Sequence, residues 1–261
     1  MPEVATHRLA ENAGPPVRRA RLGDEDVQVT TNQGFVKSRR RIGRVATLLG
    51  FLCLVAGLVL TWVRSDLVMV SYLTLLPGYI LISYGGYNTV RWGTKPRIDE
   101  ALAISLKTLD HRYQLFNYVG GLPAENLLLT PNSLVVFEIR PYLGEFRNTG
   151  GKWKRKLTAL GVFMSLTEGA LGNPSRDALR KVAETKQFLA ARLSDEADGI
   201  PVEAVVVFTH PRATLVLDNP EVPVSTAKDL RSSIRAGDRR DRLPGHVYRR
   251  LARILKSPEA A

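Results

Sequence analysis

From Val45 to Val63 the chain carries no charged side chain, and from Leu67 to Val90 it carries none again, with only Arg64-Ser65-Asp66 between the two runs. A helix over the first run spans about 28 Å at about 1.5 Å per residue, close to the roughly 30 Å hydrocarbon core of a bilayer. Apolar residues fall on every helical face over this length, which favours membrane insertion over a buried core hairpin. So short a connection forces the two helices antiparallel if both insert. Pro77-Gly78 is expected to kink the second span, as membrane helices tolerate, and Gly85-Gly86 to permit close helix approach. Trp62, Tyr84, Tyr87 and Trp92 fall near the ends, where an interfacial aromatic belt would lie. Lys37, Arg39, Arg40, Arg41 and Arg44 precede the first run and Arg91, Lys95 and Arg97 follow the second, against Arg64 alone in the turn. This asymmetry predicts a cell-membrane protein with two spans and both termini cytoplasmic.

The remaining length leaves room for one medium domain within 261 residues of 44% hydrophobic content. Cys53 is the only cysteine, which excludes an intrachain disulfide framework or a cysteine-based zinc site. A net charge of +12 calls for an anionic neighbour, either a lipid surface or phosphodiesters. No Gly-rich phosphate loop, nucleotide fingerprint, Ser-His-Asp arrangement or metal-spaced histidine cluster is present. His210, before Pro211, has no ligand-spaced partner and reads as structural. Four segments result: a disordered basic tail over 1–41 with no signal peptide at its start, a transmembrane hairpin over 42–92, a soluble domain over 97–236, and a basic amphipathic helix and tail over 237–261.

Within the soluble segment, Ile98, Leu102, Leu106, Leu109 and Tyr113 recur at helical spacing. A strand over Tyr113 to Tyr118 leads through Gly120-Gly121 to a β-hairpin centred on Pro131-Asn132. Beyond it, Gly150 to Lys156 reads as a basic loop. Lys152, Lys154, Arg155 and Lys156 suit phosphates and Trp153 suits a stacked base, so the loop is a candidate nucleic-acid contact; the alternative is a solvated loop whose Trp packs on the core. Leu157 to Leu171 reads as a short helix or flap. Asn173 caps a helix that starts at Pro174 and runs to about Leu193. Val202 to Phe208 is a central strand, Thr214 to Leu217 another, and Thr226 to Arg235 a closing helix. This order gives the α/β class, a sandwich around a mixed sheet. A last helix, Pro244 to Lys256, sets Val247, Leu251, Ile254 and Leu255 against Arg249, Arg250, Arg253 and Lys256, a face for anionic lipid, for a nucleic-acid backbone or for its own domain.

The hairpin carries the candidate chemistry. Pro131 cannot take the positive φ of a type I′ turn, so a type I or II turn or a four-residue loop is expected. Either pairs Glu125 with Glu138 on one face and points Arg140 the same way, while a one-residue slip would separate them. Around these residues the region from about Ile98 to Ala236 resembles the NERD domain, the nuclease-related domain of the PD-(D/E)XK superfamily. Its hairpin typically begins with Asp-His and ends with Glu-x-Lys, which places Glu125, Asn126, Glu138 and Arg140 at those positions. The resemblance extends to Asp99-Glu100, an acidic opening of the first helix, to Trp153, to Asn173-Pro174 and to Val205–Pro211; Asp177 stands where the family has Gln.

That resemblance implies a restriction-endonuclease-like sandwich, a catalytic set of Glu100, Glu125, Glu138 and Arg140, and Mg²⁺ held by Glu125 and Glu138 if the site is active. The departures bear on chemistry. Glu in place of Asp at 125 moves the carboxylate by roughly 1.5 Å, and a misplacement near 1 Å costs on the order of 100-fold in rate. Arg140 keeps its proton at any accessible pH and cannot act as a base. The expectation is a membrane-anchored nuclease-related domain that binds or scaffolds, nucleic acid being the partner to test. Two alternatives stand beside it: an active Mg²⁺-dependent endonuclease, and a protein-interaction module at the membrane.

Overall fold

The computed structural model of the chain describes residues 18–19, 26–64, 66, 68–93, 95–156, 171–193, 196–237 and 241–258. Two long helices, α1 (Gln33–Val63) and α2 (Val68–Gly93), pack side by side. Their seam is built from small residues. Gly43, Gly50 and Gly57 recur every seven positions on α1, Ser71, Gly78 and Gly85 do so on α2, and all six are buried. Gly43 faces Asn88, Gly50 faces Gly78 and Ile82, and Gly57 faces Thr74 and Ser71, so the helices run antiparallel. A strict seven-residue repeat keeps one stripe of each helix on the other, and the missing side chains let the backbones approach. Leu48, Phe51, Leu58, Tyr72, Leu73 and Leu76 point outward and are exposed. By length and composition, α1 can cross a membrane, an 18-residue stretch of it having a mean hydropathy of 2.3; among the described residues it is the one helix to reach that standard. Pro77 lies inside α2, which continues through it.

The N-terminal boundary differs from the expected one at residue 41. Gln28–Thr31 forms strand β2, and α1 starts at Gln33, where Asn32 Oδ1 accepts a hydrogen bond from Phe35 N at 3.0 Å. The basic run Lys37–Arg41 therefore forms the first turns of a helix that begins before its apolar band does. The rest of the expected tail, residues 1–17 and 20–25, lies outside the described residues, and Arg18–Arg19 is a two-residue strand, β1.

The soluble part follows as α3 (Ile98–Leu106), β3 (Gln114–Asn117), β4 (Asn126–Leu129), β5 (Leu134–Arg140), β6 (Gly144–Thr149), β7 (Lys152–Lys156), α4 (Pro174–Leu193), β8 (Val202–Phe208), β9 (Ala213–Asp218), β10 (Val224–Thr226), α5 (Leu230–Gly237) and α6 (Gly245–Lys256). Strands β1-β2-β3-β4-β5-β8-β10 form one mixed sheet, in which β2/β3, β5/β8 and β8/β10 are parallel and the other neighbours antiparallel. Alternation along the strands splits the core. Leu115, Leu128, Val135, Phe137, Val205 and Val207 face α3 and α5, while Phe116, Leu127, Leu129, Leu134 and Val136 face α4 and α6. The result is an α/β sandwich around a mixed sheet. A small sheet, β7-β6-β9, adds to the α4 side through Phe146, Phe208 and Ala178.

In the C-terminal half one reading changes and one open alternative is decided. The expected basic loop is the hairpin β6–β7, turned at Gly150-Gly151, both at positive φ (53° and 77°). Lys-Trp-Lys-Arg-Lys alternates, so Trp153 and Arg155 turn inward while Lys152, Lys154 and Lys156 are exposed; the high charge hid a period of two. The C-terminal helix sinks Val247, Leu251, Ile254 and Leu255 into the core, so its apolar face is taken by its own domain rather than by lipid. The expected flap over 157–170 lies outside the described residues.

Candidate functional site

Outside the carboxyl ends of the parallel strands β5 and β8 lies a cavity of about 560 Å³, in the position where α/β sheets commonly hold ligands. Five regions meet there: the last turns of α2 (Tyr87, Arg91), the approach to α3 (Lys95, Arg97), the β4–β5 hairpin (Glu125, Asn126, Glu138, Arg140), α4 (Asp177, Arg180, Lys181) and the turn after β8 (Thr209, His210).

The hairpin register follows from its tip. Thr130 Oγ1 accepts from Asn132 N at 3.1 Å and Ser133 N at 2.9 Å, and Thr130 N donates to Ser133 O at 2.9 Å, which closes a two-residue turn at Pro131-Asn132. Leu129 then pairs with Leu134 and Leu127 with Val136. Continued by two positions, this register sets Glu125 opposite Glu138, although β4 begins only at Asn126 and Glu125 is exposed.

The two carboxylates have different partners. Glu138 is 3% exposed. Its Oε1 accepts from Arg140, and its Oε2 lies 2.7 Å from Lys181 Nζ. Arg140 also donates to Asp177 Oδ2 at 2.6 Å. Asp177 and Lys181 sit one turn apart on α4 and so present one face to the end of β5. Glu125 instead accepts from Arg91 on α2 at 2.6 Å. The residues in which the site departs from the Asp, Lys and Gln of the resemblance are thus held in ion pairs, Arg140 with Asp177 and Glu125 with Arg91.

Glu100 lies outside the cavity lining: its Oε2 accepts from Arg97 N at 3.1 Å at the start of α3. Asp99 is buried and accepts two hydrogen bonds from Arg97, which hold that guanidinium above its ordinary value against the opposing effect of burial. His210 lines the cavity, its Nδ1 accepting from Arg212 N at 3.1 Å. Among the described residues no three His, Cys, Asp or Glu side chains gather as a metal-binding group. Glu138 has a cation on each oxygen and Glu125 is bound to Arg91, so this donor arrangement does not fit the Mg²⁺ that the resemblance implies.

The basic strand stands apart from this cavity. Trp153 Nε1 donates to Ser175 Oγ at 2.9 Å and its ring lies 5.7 Å from that of Phe208, so the indole is a core contact. Arg155 donates to Leu143 O at 3.0 Å and stacks over Tyr142 and Phe146. Lys152, Lys154 and Lys156 remain on the outer face, available to an anionic partner.

Sequence reasoning missed Arg91 and Lys181. Lys181 carried a local signal, four residues after Asp177 on one helix face. Arg91 carried none, because it lies at the end of an apolar helix 34 residues before Glu125.

No curated protein and no solved structure matches the chain. Residues 101–209 match the family model of NERD, the nuclease-related domain.

Proposed function

We propose that the chain is a membrane-anchored nuclease-related domain that binds or scaffolds an anionic partner and does not cleave it. In this reading α1 and α2 are the two spans, both termini lie on the cytoplasmic side, and nucleic acid is the first partner to test. The observation that carries it is the state of Glu138. Both oxygens of this buried carboxylate face cations, Arg140 and Lys181. A metal ion would have to displace them, and stripping one partner from a buried pair costs about 3–5 kcal/mol. Arg140, tied to Asp177 as well, keeps its proton, has no acceptor site for another, and cannot serve as a general base.

Plasmid cleavage by the full chain in detergent, with Mg²⁺ or Mn²⁺, tests this. Little or no cleavage is expected, and Arg140→Lys combined with Glu125→Asp should raise it. Efficient cleavage by the natural sequence, abolished by Glu138→Ala, would overturn the reading. One observation favours that rival endonuclease: Glu125, Glu138 and Asp177 all line a single cavity.

A further inference from the structure

We propose that the cavity at the end of α2 binds the phosphate of an anionic phospholipid whose headgroup also carries hydroxyls; this inference rests on the membrane-anchored reading above.

The lining is positively biased. It contains Arg91, Lys95, Arg97, Arg140, Arg180 and Lys181, against Glu125, Glu138 and Asp177. Asp99, Glu100 and Glu184, which pair with Arg97 and Arg180, are not among the lining residues, so their charges do not line the space a ligand would enter. Lys95 is exposed and has no carboxylate partner among the described residues.

Unused hydrogen-bonding groups point to the same chemistry. Arg91 Nε and Arg140 Nε are buried without a hydrogen-bond partner among the described residues, although Arg140 spends both terminal nitrogens on carboxylates and Arg91 spends one on Glu125 and the other on the Tyr87 hydroxyl. These are two donors lacking an acceptor. Asn126 is 3% exposed, lines the cavity, and has its Oδ1 without a partner among the described residues. This is an acceptor lacking a donor. A phosphodiester supplies acceptor oxygens for the guanidinium groups, and a headgroup hydroxyl supplies the donor for Asn126.

Position selects the lipid as the source. Gly43 of α1 lies against Asn88 of α2, so Arg41 and Arg44 sit at the level of Tyr87 and Arg91. Tyr84 and Tyr87 are exposed at the end of the apolar surface of α2. Arg91 follows Tyr87 by one turn, about 6 Å along the axis. The cavity thus opens where headgroups would lie if the helices span the bilayer.

The test titrates short-chain phosphatidylglycerol into the detergent-solubilised full chain by calorimetry, with phosphatidylcholine, glycerol phosphate, inorganic phosphate and a single-stranded oligonucleotide as parallel arms. Saturable binding of phosphatidylglycerol, stronger than any other arm, is expected. Replacing the exposed pair, Lys95→Gln with Arg180→Gln, should weaken it about tenfold, the worth of one charge-assisted hydrogen bond, with the melting temperature unchanged. Asn126→Leu should remove the preference over phosphatidylcholine. Equal binding of phosphatidylcholine, equal binding of free phosphate, or tighter binding of the oligonucleotide overturns the proposal. Alkaline carbonate washing of membranes separates the two readings. A chain retained in the pellet without headgroup selectivity sinks the lipid site alone, and a chain washed free sinks the anchor.

Discussion

Tyr118 shows how much one residue holds together. Its ring lies 4.9 Å from Trp92 of α2 and 5.9 Å from Phe35 of α1, so it is the domain's contribution to an aromatic joint with the helical pair. Burial pushes its phenol well above the ordinary tyrosine range, with Asp99 and Glu125 adding to the effect. A group whose folded pKa is raised stabilises the fold fully below its unfolded pKa of about 10 and loses that contribution as pH rises from there through the folded value. Stability should therefore fall above about pH 10 by up to about 1.4 kcal/mol per pH unit from this residue. Thermal melts of the natural chain and Tyr118→Phe between pH 8 and roughly 11 check this; a slope unchanged in the variant refutes it. The register of Glu125 and Glu138 was readable because Pro131-Asn132 fixes the turn. The partner of Glu125 was not, because no local pattern relates it to Arg91.

Among the elements, β8 and α4 were readable from residue pattern alone: Val202–Phe208 is a dense β-branched run, and Asn173-Pro174 is a cap followed by a residue suited to a first turn. The strand β7 was not, since charge masked its alternation. Its two faces predict separable effects. Trp153→Ala should destabilise the domain by about 3 kcal/mol, the scale of a lost core aromatic, whatever binds outside. Replacing Lys152, Lys154 and Lys156 with Gln should leave the melt unchanged and flatten the salt dependence of any nucleic-acid binding, because fewer counterions are released. A large loss of stability in the triple variant would contradict the exposed placement. The small-residue seam, with seven-residue spacing on both helices, is visible in the sequence, although the sequence reading singled out only the adjacent Gly85-Gly86 for close helix approach. These two positions differ sharply from one another: Gly85 lies against Thr47, whereas a Cβ at Gly86 meets nothing within 4 Å. At Gly50 a Cβ would come within 2.7 Å of Ile82 N and 2.8 Å of Gly78 O, both backbone atoms. Gly50→Ala should therefore splay the pair and lower its melting temperature, and Gly86→Ala should not; cysteine cross-linking between the helices reads the difference.

At the scale of the whole molecule, the parallel ladder from Gln28↔Gln114 to Thr31↔Asn117 joins the chain before α1 to the chain after α2. Two strands paired residue for residue must share one aqueous compartment, so crossings between them come in even numbers. If α1 crosses a membrane, α2 has to return. Reporters ahead of Gln28 and after Lys256 should then read the same side, and a tag between Arg64 and Asp66 the other; an N-terminal reporter opposite to the C-terminal one would break the ladder. Parallel neighbours need a crossover connection, ordinarily a helix laid across the sheet in water. Here the connection from β2 to β3 runs first through the helical pair, which stands its own ends side by side and so reduces the closure entropy of a very long loop, and then through α3, which lies on the sheet. The hairpin that would sit in lipid thereby forms part of the sheet's crossover.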